Sequence, residues 1–207
     1  MTRVVLATRN PHKVAELRQI LADVAADLGL DIVGLDQYPD LPEVVETGVT
    51  YLANATLKAV AVAEATGLPA LADDSGLAVD VLGGAPGVFS ARWSGGRGDR
   101  ANLELLLAQL GDVPDEHRGA SFVCAAVLAV PGGPVVEREG RVTGRLTREP
   151  RGSNGFGYDP ILQVEGDTRT LAEFDSAEKH AISHRGRAFR ALAEDLRRVL
   201  GQRPAEA

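Results

Sequence analysis

The chain has 207 residues, of which 44% are hydrophobic and 25% charged, a composition typical of a soluble globular protein with a substantial core. Its formal net charge of -7 argues against the broad basic surface that polymeric nucleic acid or an anionic membrane requires. The single cysteine, Cys124, excludes an intramolecular disulfide and favours a reducing, cytoplasmic setting. Since no apolar run resembles a signal peptide or approaches the ~20 residues of a membrane span, we expect an unexported protein without a membrane segment.

The apolar pattern of the first part of the chain predicts alternating strands and helices. In chain order, the elements are a strand, a helix, a strand, a helix and a short strand, over residues 3–8, 11–29, 30–35, 50–67 and 69–72. Thr50 is the predicted N-cap of the second helix, and Gly67 marks its end. The short strand leads directly into two adjacent acids, Asp73 and Asp74.

The second part of the chain predicts further strands and two long loops. These segments are a glycine-rich loop, a helix, two hairpin strands, a glycine-bearing loop and a final helix, over residues 83–98, 99–111, 121–130, 134–142, 148–160 and 184–200. Asp99 is the predicted cap of the helix that it begins. Consecutive strands imply antiparallel pairing, so the predicted fold class is α/β with a mixed sheet. Loops longer than about 12 residues are uncommon in compact domains unless they carry function.

The stretch TRNPHK predicts a helix start suited to phosphate. Asn10 is a good N-cap and Pro11 suits the first helical position, so backbone N–H groups should point from the loop beside Lys13. The alternative is an ordinary capped helix with a surface lysine.

The paired acids predict a catalytic or metal-binding carboxylate. Consecutive strand residues point to opposite faces, so at most one of Asp73 and Asp74 should face a given cleft. A carboxylate there can bind Mg2+ or accept a proton from water, and Gly76 would let the backbone turn afterwards. The alternative is an Asx-type turn that closes the strand. Glu46, in the loop motif ETG, is relevant only if it faces Asp74.

The loop FGYDP places two aromatic rings beside an acid. Phe156 can stack on a nucleotide base. Alternatively, Phe156 and Tyr158 cover the edge of the core and Asp159 forms a turn with the proline that follows.

The basic stretch EKHAISHRGRA precedes the last helix. If Ser183 caps that helix, His184 and Arg185 lie in its first turn, where cations oppose the macrodipole. Cations at this end of a helix suit a bound anion or carbonyl acceptor. The alternative is that His184 and Arg185 lie on a solvated face, where the cost of the placement is small.

In combination, these stretches resemble the inosine triphosphate pyrophosphatase family over essentially the whole chain. Five motifs occur in the order and spacing of that family: VVLATRNPHKVAEL, ETG, LADDSGLAVDVLGGAPGVFSARWSG, TREPRGSNGFGYDPI and EKHAISHRGRA. The resemblance implies an elongated mixed β-sheet flanked by helices, with two lobes and an active-site cleft between them. It also implies a homodimer, a single domain over 1–200 with a frayed tail over 201–207, and Mg2+-dependent hydrolysis. The implied substrates are the non-canonical purine nucleoside triphosphates ITP, dITP and XTP, which are converted to monophosphate and pyrophosphate to cleanse the nucleotide pool.

The resemblance also implies which residues form the site. Asp74 is implied as catalytic base and metal ligand, with Glu46 as a second metal ligand. The implied substrate-binding residues are Thr8, Arg9, Asn10, Pro11, His12, Lys13, Ser75, Phe156, Gly157, Tyr158, Asp159, Lys179, His184 and Arg185.

The chain departs from the family pattern at two positions. Arg9 replaces a common glycine and either adds a phosphate contact or points outward. Val45 stands where related sequences often carry a further acid beside Glu46. The alternative functions are a Maf-like pyrophosphatase for other modified nucleotides and a non-catalytic nucleotide-binding regulatory module; the retained Asp74 and Lys13 favour a catalytic site.

Overall fold

The computed structural model describes residues 2–201, which contain a six-stranded sheet flanked by helices. The strands are β1 Thr2–Leu6, β2 Leu30–Gly34, β3 Ala70–Val79, β4 Gly119–Ala129, β5 Val135–Leu146 and β6 Leu162–Val164. Their order in the sheet is β2-β1-β3-β4-β5-β6. β1 pairs in parallel with β2 and β3, whereas β5 pairs antiparallel with β6, so the predicted α/β class with a mixed sheet is confirmed.

The first four described α-helices lie between strands in the chain, and the last two follow β6. The described α-helices are α1 Pro11–Ile20, α2 Ala22–Leu28, α3 Tyr51–Thr66, α4 Asp99–Gln109, α5 Ser176–Ile182 and α6 His184–Leu200. The predicted ends of α3 are confirmed: the Thr50 side chain accepts from the amide of Ala53, and Gly67 adopts a left-handed conformation that glycine favours. None of the helices in residues 2–201 combines the length and apolar character of a membrane span.

Several sequence-based boundaries are wrong, including the end of the second hairpin strand, which was predicted at residue 142 and lies at Leu146. The helix predicted over 11–29 is divided at Leu21, a buried residue whose ψ of 0 interrupts the helical path. The strand predicted to end at residue 72 continues to Val79, because Leu77 and Val79 are fully buried and extend its apolar surface beyond Gly76. The N-cap of α4 is Gly98, not Asp99, whose carboxylate bonds elsewhere.

The chain divides into two compact units. The first comprises the described residues of Met1–Asp74, Ala125–Glu139 and Gly186–Ala207. Its core is rich in alanine and valine, including Val5, Ala59 and Val127. The second unit comprises Ser75–Cys124 and Gly140–Arg185, and larger side chains such as Leu77 and Leu106 fill its core. Except for Gly201, the predicted tail over 201–207 lies outside the described residues.

A buried arginine organises one end of the second unit. Arg118 is only 2% exposed and donates to three main-chain carbonyl groups: Leu110 at 2.7 Å, Leu146 at 2.8 Å and Thr147 at 2.9 Å. One guanidinium group thus joins the end of α4 to the end of β5, because its planar fork of donors can satisfy several acceptors at once.

We predict that Arg118→Met lowers the free energy of unfolding by at least about 3 kcal/mol, since it leaves three carbonyls without their charged donor. Denaturant titration measures this loss. The control is Arg148→Met, because Arg148 contacts Asp115 and two neighbouring carbonyls on the exposed surface. Its loss should cost less than about 1 kcal/mol, and equal costs for the two variants would contradict the role assigned to Arg118.

Candidate active site

The first unit gathers three carboxylates and two lysines, which we call the carboxylate cluster: Lys13, Glu46, Lys58, Asp73 and Asp74. Asp73 and Asp74 lie within β3 and are 1% and 8% exposed. The Lys58 ammonium nitrogen, on α3, lies 2.8 Å from Glu46 Oε1 and 3.5 Å from Asp74 Oδ1. Glu46 and Asp74 therefore share one cation. We expected Glu46 to be relevant only if it faces Asp74, and this shared contact brings the two carboxylates together.

Asn54 connects the ETG loop to Asp74. Its side-chain amide donates to Asp74 Oδ2 at 3.2 Å, and its carbonyl oxygen accepts the Gly48 amide at 2.8 Å. A Cβ atom at Gly48 would lie 2.6 Å from Asn54 Oδ1, so the glycine of ETG permits the loop to approach α3. Asn54 and Lys58 are four residues apart and therefore lie on the same side of α3.

The helix start over 8–13 supplies a paired lysine. Lys13 Nζ lies 3.0 Å from Asp73 Oδ2, and the Asp73 side chain is fully buried. The predicted cap is confirmed, because Asn10 Oδ1 accepts from the amides of His12 and Lys13 at 2.9 and 3.3 Å. The expectation that these amides point out of the loop is therefore wrong, since the Asn10 side chain already binds them.

The other residues of TRNPHK lie around this cap. Thr8 accepts the amide of Asn10 at 3.2 Å. Arg9 is exposed, and its guanidinium donates to the carbonyl of Leu41 at 2.7 Å. Pro11 is exposed at the first position of α1.

The surroundings of Asp74 favour a carboxyl group with increased proton affinity. Burial raises the pKa of Asp74, and the charge of Glu46 raises it further. Lys58, Lys13 and the Asn54 amide act in the opposite direction, but the net pKa shift is upward. The pKa of Lys58 is also raised, because its carboxylate neighbours outweigh the effect of its burial. Lys58 thus stays cationic while Asp74 gains basicity, a combination suited to a general base.

The second unit contains a loop built around a buried ion pair. We call residues 155–159 the base loop, because the sequence predicts that Phe156 stacks on a nucleotide base. Asp159 Oδ2 accepts the amide of Phe156 at 2.9 Å and lies 2.8 Å from Lys179 Nζ. Asp159 and Lys179 are 3% and 4% exposed. Gly155 has a φ of 75°, and a Cβ atom there would lie 2.1 Å from Asp159 Oδ2, so this turn requires glycine.

Cations surround the ring of Phe156. Lys179 Nζ lies 5.3 Å and Arg185 Cζ 5.6 Å from the ring centroid, within the range of cation–π attraction. Arg185 also donates to Ser75 Oγ at 2.9 Å. His184 stacks on Phe122 with a centroid separation of 4.8 Å and an interplanar angle of 10°. Contacts therefore join five of the predicted substrate-binding residues within this unit, and His184 directly precedes one of them, Arg185: the five are Ser75, Phe156, Asp159, Lys179 and Arg185.

The ring of Tyr158 belongs to the core of the second unit, and the residue is 4% exposed. Its hydroxyl donates to the carbonyl of Ser90 at 2.9 Å, and burial raises its pKa. This position matches the alternative in which Tyr158 covers the core, rather than the one in which it binds substrate. Gly157, beside it, has a φ of 62° and leaves space around its Cα.

Sequence reasoning missed Asn54 and Lys58. Both lie on α3 among the buried alanines Ala55 and Ala59, where polar side chains need a partner. A polar pair at i and i+4 beside an apolar helix face was the available signal, but the amphipathic pattern made Lys58 resemble an ordinary surface residue.

The chain is similar to a family model and to named relatives over nearly its full length. The model of the Ham1 family matches residues 4–195. The chain belongs to the Ham1 family. A dITP/XTP pyrophosphatase of Streptomyces avermitilis is 64% identical over 202 residues, which cover 97% of this chain and 100% of the relative. The protein of that name from Mycobacterium tuberculosis is 54% identical over 198 residues, 95% of this chain and 96% of the relative.

Solved structures of the Ham1 family share its fold. A HAM1 protein from Coxiella burnetii has a TM-score of 0.86 and 42% identity, covering 96% of this chain and all of the other. A nucleoside-triphosphatase, dITP/XTP pyrophosphatase, from Mycobacterium abscessus has a TM-score of 0.74 and 51% identity, covering 92% of this chain and 97% of the other. The family resemblance recognised from the five motifs is therefore confirmed.

For this Ham1-family chain, we predict that Lys58→Met raises the pKa of Asp74 further, because Lys58 exerts the largest downward influence on it. A carboxyl whose folded-state pKa lies above its unfolded value loses stability as pH rises from the unfolded to the folded pKa. Each additional unit of pKa deepens this loss by about 1.4 kcal/mol. The decline in stability should therefore be deeper in Lys58→Met and extend to higher pH.

Denaturant titrations between pH 4 and pH 8, with carbon-13 NMR of the Asp74 carboxyl, measure both effects. Lys58→Arg keeps the positive charge and should retain a pH profile close to that of the wild type. An unchanged Asp74 titration in Lys58→Met would contradict the coupling.

Proposed function

We propose that this protein hydrolyses the non-canonical purine nucleoside triphosphates ITP, dITP and XTP to monophosphate and pyrophosphate with Mg2+. The observation that carries the proposal is Asp74, a buried carboxyl with raised pKa that Asn54 orients and Lys58 approaches. The names of relatives at 64% and 63% identity, dITP/XTP pyrophosphatase, support the same substrates. We also propose a single catalytic domain over 1–200 and a homodimer, both on the family resemblance, and a cytoplasmic location, on the single cysteine Cys124.

The carboxylate cluster fits a magnesium ion. Asp74 and Glu46 already approach one cation, the Lys58 ammonium group, with oxygen atoms of the kind that Mg2+ prefers. The protein would supply only these two carboxylates, because residues 2–201 contain no group of three or more His, Cys, Asp and Glu side chains that could hold a metal. Two carboxylates with phosphate oxygens and water as the other ligands are a usual magnesium environment. When bound there, Mg2+ would neutralise phosphate charge and polarise the reacting phosphoryl group.

The proposed reaction is attack of water on the α-phosphorus. As the water oxygen bonds to the α-phosphorus, Asp74 accepts a proton from that water. The bond from the α-phosphorus to the oxygen that bridges the α- and β-phosphates breaks. Pyrophosphate leaves with that bond's electron pair. Lys13 and Lys58 offset the roughly four negative charges of the triphosphate, which would otherwise repel the nucleophile. Thr8 and Asn10 hold the helix start that carries Lys13.

The second unit supplies groups suited to a purine. Phe156 offers a ring face for stacking, and Arg185 offers donors only. A 6-oxo purine presents an acceptor to those donors, whereas the 6-amino group of adenine would leave donor facing donor. Lys179, held by Asp159, adds a further cation beside the same ring.

The function is tested by incubating the full chain with Mg2+ and each of ITP, dITP, XTP and ATP. We predict monophosphate and pyrophosphate in one step, with kcat/KM for ITP and XTP at least about a hundredfold above that for ATP, since unpaired buried donors penalise adenine. Chromatography of early time points should show no diphosphate. Similar kcat/KM for ATP and ITP, or accumulation of IDP with orthophosphate, would reject the proposal. Nucleotide binding without turnover would instead support the regulatory module.

Substitution of each paired acid distinguishes the role of Asp74 from that of Asp73. Asp74→Asn keeps the acceptor for Asn54 but removes the basic oxygen, so kcat should fall by about two to four orders of magnitude while the fold survives. Asp73→Asn should cost about 1–3 kcal/mol of stability and raise KM more than it lowers kcat, because Lys13 loses its buried partner.

Steady-state kinetics at saturating Mg2+ and thermal melts compare the two variants. A folded but inactive Asp73→Asn beside a nearly wild-type Asp74→Asn would exchange the two assignments.

A further inference from the structure

The base loop is anchored from outside as well as from within. The amide of Gly157 donates to Asp99 Oδ2 at 3.1 Å, across 58 residues of sequence. The next residue, Tyr158, donates its hydroxyl to the carbonyl of Ser90 at 2.9 Å. Two consecutive residues of the loop thus bind the segment over 87–99, one at a backbone amide and the other at the end of a side chain.

The loop needs such anchors because of its backbone. Phe156 lies between Gly155 and Gly157, both of which have positive φ, at 75° and 62°. Glycines have the widest choice of backbone conformation, so fixing this sequence in one conformation has a high entropic cost. Asp159 holds the amide of Phe156 from inside the loop. Gly157 is held from outside by Asp99.

The segment that carries Asp99 is itself fixed. Asn102, on α4, is 1% exposed; its carbonyl oxygen accepts the Ser94 amide at 2.7 Å, and its amide donates to Ala91 at 3.1 Å. Ser90 Oγ in turn accepts the amide of Leu77 at 2.9 Å. Asp99 therefore projects from an ordered support.

Helix capping does not explain why an aspartate stands at position 99. The N-cap of α4 is Gly98, which makes no side-chain capping bond, and Asp99 is the first helical residue. A carboxylate there does favour the helix dipole. That contribution requires only a negative charge, whereas the bond to Gly157 requires an acceptor atom at this position.

We propose that Asp99 is a positioning residue for base recognition. By accepting the Gly157 amide it fixes the turn that follows Phe156, and so fixes the ring that stacks on the purine. This inference rests on the proposed function, because it concerns the base-recognition half of that activity. In this role Asp99 acts on the loop and not on the substrate, and its bond lies on the exposed surface, so removing it leaves the core of the second unit intact.

The test compares Asp99→Ala with Asp99→Asn and Glu104→Ala. Asparagine keeps an acceptor but loses the charge, so it separates the bond to Gly157 from the helix dipole. Glu104 is an exposed acid of the same helix that pairs with Arg100 rather than with the base loop, which makes Glu104→Ala the matched control. All three are measured for kcat and KM with ITP and ATP at saturating Mg2+, for thermal stability, and for exchange of the Gly157 amide by NMR.

We expect Asp99→Ala to raise KM for ITP by about three- to tenfold, the range for losing one hydrogen bond. The ratio of kcat/KM for ITP to that for ATP should fall, and exchange of the Gly157 amide should accelerate, with kcat changed less than twofold. Asp99→Asn should restore most of the KM and amide protection, and Glu104→Ala should match the wild type.

An Asp99→Ala enzyme with wild-type KM and discrimination would overturn the inference while leaving the proposed function in place. So would a loss in kcat alone, or an Asp99→Asn enzyme as impaired as Asp99→Ala. A wild-type chain that fails to hydrolyse ITP would overturn the proposed function itself, which is a separate result.

Discussion

The carboxylate cluster depends on pairing charges that are largely buried. Asp73 and Asp74 are adjacent on β3, and both are buried. An isolated charge in such a place is strongly destabilising, so each requires a cation or donors. Lys13 approaches Asp73, whereas Lys58 and Asn54 approach Asp74. The start of α1 and the polar residues of α3 thus supply what these carboxylates need.

The base loop follows the same principle with a different result. Asp159 is buried, like Asp73, and its partners are Lys179 and the amide of Phe156. Here the carboxylate organises the loop, since Gly155 must lack a side chain for it to fit. In the first unit a buried acid acquires basicity, whereas in the second a buried acid fixes the position of a ring and an ammonium group. Ser75 Oγ accepts from Arg185 within the second unit.

Local signals predicted much of this protein, and long-range contacts account for what they missed. The caps at Asn10 and Thr50 were predictable because a capping side chain binds backbone only two or three residues away. The continuation of β3 was not, because the acids and Gly76 resemble a strand end, and buried residues beyond them extend it. Lys58 was missed because its partner Asp74 is sixteen residues away. Asp99 resembled a cap because it stands where the helical pattern begins. Its contact with Gly157 is 58 residues away in sequence and has no local signature.

The proposed substrate suits these pairings if it binds together with a divalent cation, because the complex then carries charges of both signs. Lys13 and Lys58 balance carboxylates in the free protein and are also the groups proposed to meet the triphosphate. If phosphate alone drew these lysines away, Asp73 and Asp74 would remain buried with less compensation, and part of the binding free energy would be lost. A triphosphate that brings a divalent cation offers the lysines anions and the carboxylates a cation. In a chain of net charge -7, this proposed exchange of partners would allow a strongly anionic ligand to bind beside buried acids.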